Sequence, residues 1–103
     1  MTSSELWKRW KVTAAHLEHA RGLLPSPSQN LAAEYGRLLS DYRSYLERKE
    51  LELALNVLQE LGELVPCCGG YWRNLERAAQ VMGLHNRISY LRQRFEQTGK
   101  KNT

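Results

Sequence analysis

Residues 50–84 read ELELALNVLQELGELVPCCGGYWRNLERAAQVMGL, and the fold turns on whether the PCCGG at 66–70 is a reactive centre or a turn between two helices. Before it, Leu51, Ala54, Leu55, Leu58 and Leu61 recur at three- and four-residue spacing, the inner stripe of an amphipathic helix over about 50–63. After it, Trp72, Leu75, Ala78, Ala79 and Met82 do the same over about 71–82, and Gly83 with Leu84 supplies a left-handed stop and an apolar residue that folds back. Pro66 prevents the first helix from continuing, and Gly69 and Gly70 permit positive φ before the second. Redox pairs separate their cysteines by two residues so that the sulfurs meet across a helical turn, and zinc thiolates are spaced similarly; adjacent Cys67 and Cys68 match neither. The stretch therefore reads as architecture, a turn whose small residues pack inward.

Helical periodicity continues on both sides. A first helix is expected from about Ser4 to Arg21, with Leu6, Trp10, Ala14, Leu17 and Ala20 on one line, Thr2 and Glu5 in capping-box register, and Gly22 and Pro25 as the stop. The segment PSPSQN opens a second, with Ser26 as N-cap, Pro27 in the first turn and Gln29 at the capping-box position; its line is Leu31, Tyr35, Leu38, Tyr42 and Tyr45, broadened by Leu39 and Leu46. Asn86 is placed as the cap of a last helix carrying Ile88, Leu91 and Phe95, before a disordered tail at about 98–103. With no strand pattern and no repeat, residues 1–103 are expected to form one all-α domain, a compact bundle of four to five short helices with short connections, sequential helices packing mostly antiparallel.

The chain carries 42% apolar and 25% charged residues, the balance of a globular protein with one core. No apolar run approaches the roughly 20 residues that cross a bilayer, the N-terminal stretch lacks a secretory leader's pattern, and neighbouring cysteines staple nothing together. A cytoplasmic protein without a membrane partner is expected. The net charge of +4 is unevenly spread: residues 1–24 and 67–103 are basic, whereas residues 50–66 hold four glutamates and no base. Such asymmetry bears on partners and association rates rather than on fold.

Three kinds of site were weighed from the residues. His16 and His19 share a helix face, and His85 or Cys67 are the nearest further metal ligands in type, but nothing fixes a third and fourth; neither metal nor cofactor is expected. The carboxylates fall mostly on polar helix faces, and no phosphate loop, nucleophile elbow or HExxH motif is present, so catalysis is not expected. Two surfaces remain. WKRWK interleaves Trp7 and Trp10 with Lys8, Arg9 and Lys11, and the last helix adds Arg87, Arg92 and Arg94, cations and aromatics of the type that hold phosphates and stack on bases. The third helix presents Glu52, Asn56, Gln59 and Glu63 as a polar stripe with Glu60 beside it, suited to a basic protein surface. Tyr71 and Trp72 are further anchor candidates, although Trp72 aligns with Leu75 and Ala79 and is assigned to the core.

YRSYLERKELELALNVLQELGELV at 42–65 and YWRNLERAAQVMGL at 71–84 resemble the MafI-type small helical immunity proteins of bacterial polymorphic toxin systems; the likeness covers roughly residues 35–84. It rests on a tyrosine-bearing second helix, Glu50 before LELALNVLQELG, the aromatic pair Tyr71-Trp72 and the LERAAQVMGL run; the WKRW helix and the PCCGG connector stand outside it. The resemblance implies a non-enzymatic protein that binds and neutralises a cognate toxin encoded by an adjacent gene. No residue-level toxin contacts come with it, so the partner candidates are those of the stripe: Glu52, Asn56, Gln59, Glu60 and Glu63. The alternative is a small basic helical adaptor or regulator binding nucleic acid through its terminal segments. Trp7 and the tyrosines also leave room for a homodimer.

Overall fold

The computed structural model describes residues 3–100, with side chains over residues 5–98. The elements are α1 (Ser3–Gly22), a 3-10 turn at Gln29–Leu31, α2 (Ala32–Glu47), α3 (Leu51–Leu64), α4 (Gly69–Met82) and α5 (His85–Lys100), with no strand among the described residues. The expected all-α bundle is what forms.

α3 is buried on more than one side. Its inner stripe, Leu51, Ala54, Leu55, Leu58 and Leu61, is joined by Val57 and Gly62, and it packs on α1, α2 and α4. The expected sequential pairing holds for α2 with α3 and for α4 with α5, whereas α1 passes over α2 and lies along α4. A Cβ on Gly70 would meet Leu23 at 3.3 Å, and Leu6 and Trp10 share a groove with Met82 and Leu84; α1 and α4 are therefore antiparallel. On the other side, Gly69 lies against Phe95 and Thr98 while Glu76 meets Arg92, which makes α5 antiparallel to α4 as well. The link between α1 and α2 is instead a side-chain bond: the buried Tyr42 hydroxyl donates to Glu18 Oε2 at 2.6 Å, and Arg21 Nε donates to the same oxygen at 3.0 Å.

Several helix boundaries differ from the sequence expectation. Pro25 and Pro27 hold the preceding residues extended, so helical structure starts only after Ser28 (φ −68°, ψ 160°), and Ser26 caps nothing. Ser28 Oγ bonds Asn30 Oδ1 at 2.7 Å rather than a backbone amide. Gly69 and Gly70 are the first helical residues of α4 with ordinary negative φ, and Asn86 lies inside the first turn of α5 instead of capping it. α5 runs on to Lys100, so residues 98–100 are helical rather than tail; Thr2, half of the expected capping box, and residues 101–103 lie outside the described residues. The stop at Gly83 is as expected: φ is 74°, and the Leu84 amide donates to Ala79 O at 2.9 Å.

The tightest contact is where α4 crosses α3. A Cβ at Gly62 would lie 2.6 Å from Trp72 Cη2 and 2.9 Å from Tyr71 Cε1, so only glycine admits these rings. Both rings are fully buried, edge to face with centroids 5.6 Å apart, and the Tyr71 hydroxyl donates to the Leu58 carbonyl. Gly62→Ala should therefore destabilise the fold by about 1–3 kcal/mol, the usual penalty of overpacking. Gly36, with nothing within 4 Å of a Cβ, is the control. Gly36→Ala inside α2 should stabilise by about 0.5–1 kcal/mol through helix propensity. Urea denaturation of the two variants must show opposite signs.

Candidate partner-binding surface

The α3 stripe does not form one continuous ridge. Glu52 and Glu60 are exposed, Asn56 and Gln59 are half-buried, and Gln59 Oε1 is sealed without a hydrogen-bond partner. Glu63 is tied into the fold, accepting from the Tyr90 hydroxyl and lying 3.5 Å from Arg94 Nη2. Its lower end, Glu60 and Glu63, joins Glu34, Leu38 and Leu64 in a shallow groove of about 280 Å³ between α2 and α3. Glu34 there already receives Arg37 Nη2 at 2.6 Å, a bond that raises the Arg37 pKa.

The basic residues of α5 are likewise internal partners rather than a free patch. Arg92 donates through Nε and Nη2, each 3.0 Å from Glu76 Oε2, and Arg73 Nη1 lies 3.6 Å from Glu76 Oε1. Arg94 lies over the Trp72 ring at 4.7 Å from its centroid, with Nε buried and unpaired. Of the three cations predicted on this helix, Arg87 alone has no such engagement among the described residues. Glu76, 1% exposed, went unnoticed in the sequence although position 76 falls within the arc of Trp72, Leu75 and Ala79.

α1 gives a different picture. Lys8, Arg9 and Lys11 are exposed, and Leu6, Trp7 and Val12 are 55%, 49% and 47% exposed. Leu6 belongs by spacing to the line of Trp10 and Leu17, but it borders an open groove and stays more than half exposed. Thr13 ends this stretch, buried, with Oγ1 donating to Arg9 O at 2.9 Å. A groove of about 280 Å³ follows, lined among others by Leu6, Arg9, Trp10, Leu51, Glu52 and Met82.

Beside the groove Trp7 stacks on Trp10, centroids 5.2 Å apart and planes within 19°. Lys49 Nζ sits 5.1 Å and 5.3 Å from the two ring centroids, and Lys11 Nζ lies 5.6 Å from Trp7. Lys49 comes from the α2–α3 turn with φ of 61°, the one non-glycine residue in left-handed conformation among those described. Its amide donates to Leu46 O at 3.1 Å and that of Glu50 to Tyr45 O at 2.9 Å, a Schellman stop with lysine where glycine is usual.

Cys67 packs against the core, whereas Pro66, Cys68 and Gly70 are exposed, so the connector's small residues face inward only in part, short of the expectation. Cys67 is half-buried, its Sγ donating to Val65 O at 3.5 Å, and burial followed by the neighbouring Cys68 pushes its thiol up to about 11. Tyr71, considered as a partner anchor, is fully buried, and burial holds its phenol well above the ordinary range. Among the described residues no three His, Cys, Asp or Glu side chains converge as metal ligands, and no helix is long and apolar enough to cross a membrane.

No family model matches this chain, and no curated protein or solved structure matches it either. The surface must therefore be read from its own chemistry.

Two measurements follow from this geometry. Lys49→Ala keeps the left-handed backbone and loses the contact with the indoles, so it should destabilise by about 0.5–1 kcal/mol. Lys49→Gly loses the same contact but relieves roughly 1 kcal/mol of left-handed strain, and should unfold at or above the wild-type denaturant midpoint. The thiols give the second. With its pKa raised, Cys67 gains thiolate only as pH climbs toward about 11, so at pH 8 iodoacetamide should modify exposed Cys68 well over tenfold faster than Cys67. Peptide mapping after timed alkylation reads both sites, and equal rates in the native protein would contradict the burial argument.

Proposed function

We propose that the chain is a non-enzymatic, cytoplasmic immunity-type protein that binds and neutralises a protein toxin encoded beside it. One observation carries the reading: large apolar side chains are exposed together on the first turns of α1, with Trp7 half out of the protein and Leu6 opening onto a groove. Isolated exposed leucines are ordinary, but a tryptophan-centred patch rimmed by charge is the composition of an interface core with its polar rim. The likeness of residues 35–84 to MafI-type immunity proteins supports the same reading. On α3, Glu52 and Glu60 are the stripe members that remain available as further contacts, since Glu63 serves Tyr90 and Arg94.

Nucleic-acid binding through both terminal segments is the weaker reading. It needs Arg92 and Arg94 for phosphates, and these are engaged with Glu76, Glu63 and Trp72.

The test is co-expression with the product of the neighbouring toxin-like reading frame. Growth should be rescued, and the two chains should co-purify as a stable one-to-one complex. Continued toxicity together with independent elution of the two proteins would end the immunity reading.

A further inference from the structure

We infer that the first turns of α1 dock an acidic protein surface, with Trp7 as the anchor, Lys11 and Lys49 over its ring, and Lys8 and Arg9 as further exposed cations of the same turns. This rests on the immunity reading above and reverses the polarity that the acidic third helix suggests.

The ion pairs among the described residues use Arg21, Arg37, Arg48, Arg73, Arg92 and Arg94, and none reaches Lys8, Arg9, Lys11 or Lys49. Two of these cations, Lys49 and Lys11, sit over the exposed Trp7 ring, Arg9 lines the groove that Leu6 opens, and Lys8 is exposed on the same turns of α1. The carboxylates nearest in the chain and groove, Glu5 and Glu52, leave the face net positive. By contrast Glu63 at the lower end of the α3 stripe meets Arg94, and Glu34 of α2 beside it meets Arg37.

The face thus combines an apolar opening with cations that pair with no carboxylate among the described residues. An occupant that inserts an apolar side chain beside Trp7 and brings carboxylates to the rim satisfies both. A basic partner would add like charge at several positions, which costs affinity and slows encounter.

The experiment uses the full-length chain and the purified, inactivated product of the neighbouring reading frame. Binding is measured for wild type, Trp7→Ala, the double variant Lys8→Glu/Lys11→Glu, and Arg43→Glu as an exposed cation elsewhere, each checked for native helicity. Trp7→Ala should weaken binding by roughly 30-fold or more, the loss expected of a central aromatic anchor. The double reversal should slow association about tenfold and flatten its salt dependence, while Arg43→Glu should change affinity by less than about threefold. Unchanged affinity in both α1 variants overturns the inference, as does a loss on Glu60→Lys without one in the α1 variants; either leaves the immunity reading standing. A dT20 oligonucleotide released by the double reversal, with partner affinity unchanged, would reassign the face to single-stranded nucleic acid. A homodimer broken by Trp7→Ala, again with partner affinity unchanged, would reassign it to a second copy of the chain. Failure of wild type to bind the partner at all removes the immunity reading and this inference with it.

Discussion

The missing side chain of Gly62 sets the position of α4. With 2.6 Å between a notional Cβ and the Trp72 ring, α3 and α4 meet at a distance no other residue allows, and the indole fills the space so gained. Trp72 then becomes a surface for others: Tyr71 packs edge-on against it and Arg94 of α5 lies over it. Since α4 is also the helix along which α1 lies, the placement of both α1 and α5 follows from that crossing. Ala78 and Ala79, fully buried, keep α4 thin enough to be flanked in this way.

Burial of α4 on so many sides explains Glu76. A carboxylate at 1% exposure needs compensation, and it receives Arg92 and Arg73 as ion pairs and Gln80 Nε2 at 3.4 Å. Replacing such a group with an apolar one of the same shape can be harmless, whereas removing one partner leaves a buried charge uncompensated. The consequence reaches the surface: part of the positive charge of the C-terminal third is absorbed internally, Arg73 and Arg92 at Glu76 and Arg94 at Glu63. Segment charge summed along the chain therefore points toward α5, while α1 holds Lys8, Arg9 and Lys11 outside every ion pair among the described residues.

The number and order of the helices were legible because each inner stripe repeats at helical spacing over three turns or more. The α4 stop was legible too, since Gly83 and Leu84 form a pattern with a local cause. What was not legible depends on distant residues. The pairing of α1 with α4 rather than α2 is a tertiary choice, and so is the burial of Tyr71, which stands beside Trp72 at the start of its helix yet reaches the Leu58 carbonyl. The α3 stripe is a correct period with an incomplete interpretation, because spacing places Glu63 on a face but does not reveal that Tyr90 and Arg94 wait across from it. Lys49 carries no turn signature at all: nothing in its side chain favours positive φ, and the indoles that hold it lie some forty residues earlier.

Two departures from local rules meet at one place. Leu6 continues an inner stripe yet stays more than half exposed, and Lys49 adopts a backbone conformation that costs a lysine roughly 1 kcal/mol. A glycine at 49 would close the same Schellman turn without strain, so stability of the turn does not account for lysine there. What lysine adds is a cation held over Trp7 and Trp10, 5.1 Å and 5.3 Å from their ring centroids. Stacking and that cation fix two large side chains at the protein's edge before any partner arrives, which lowers the ordering entropy that binding must overcome. Departures from local preference gather where function sets the requirement, and that is the ground for proposing the α1 edge, rather than the acidic stripe that periodicity brings forward, as the partner surface.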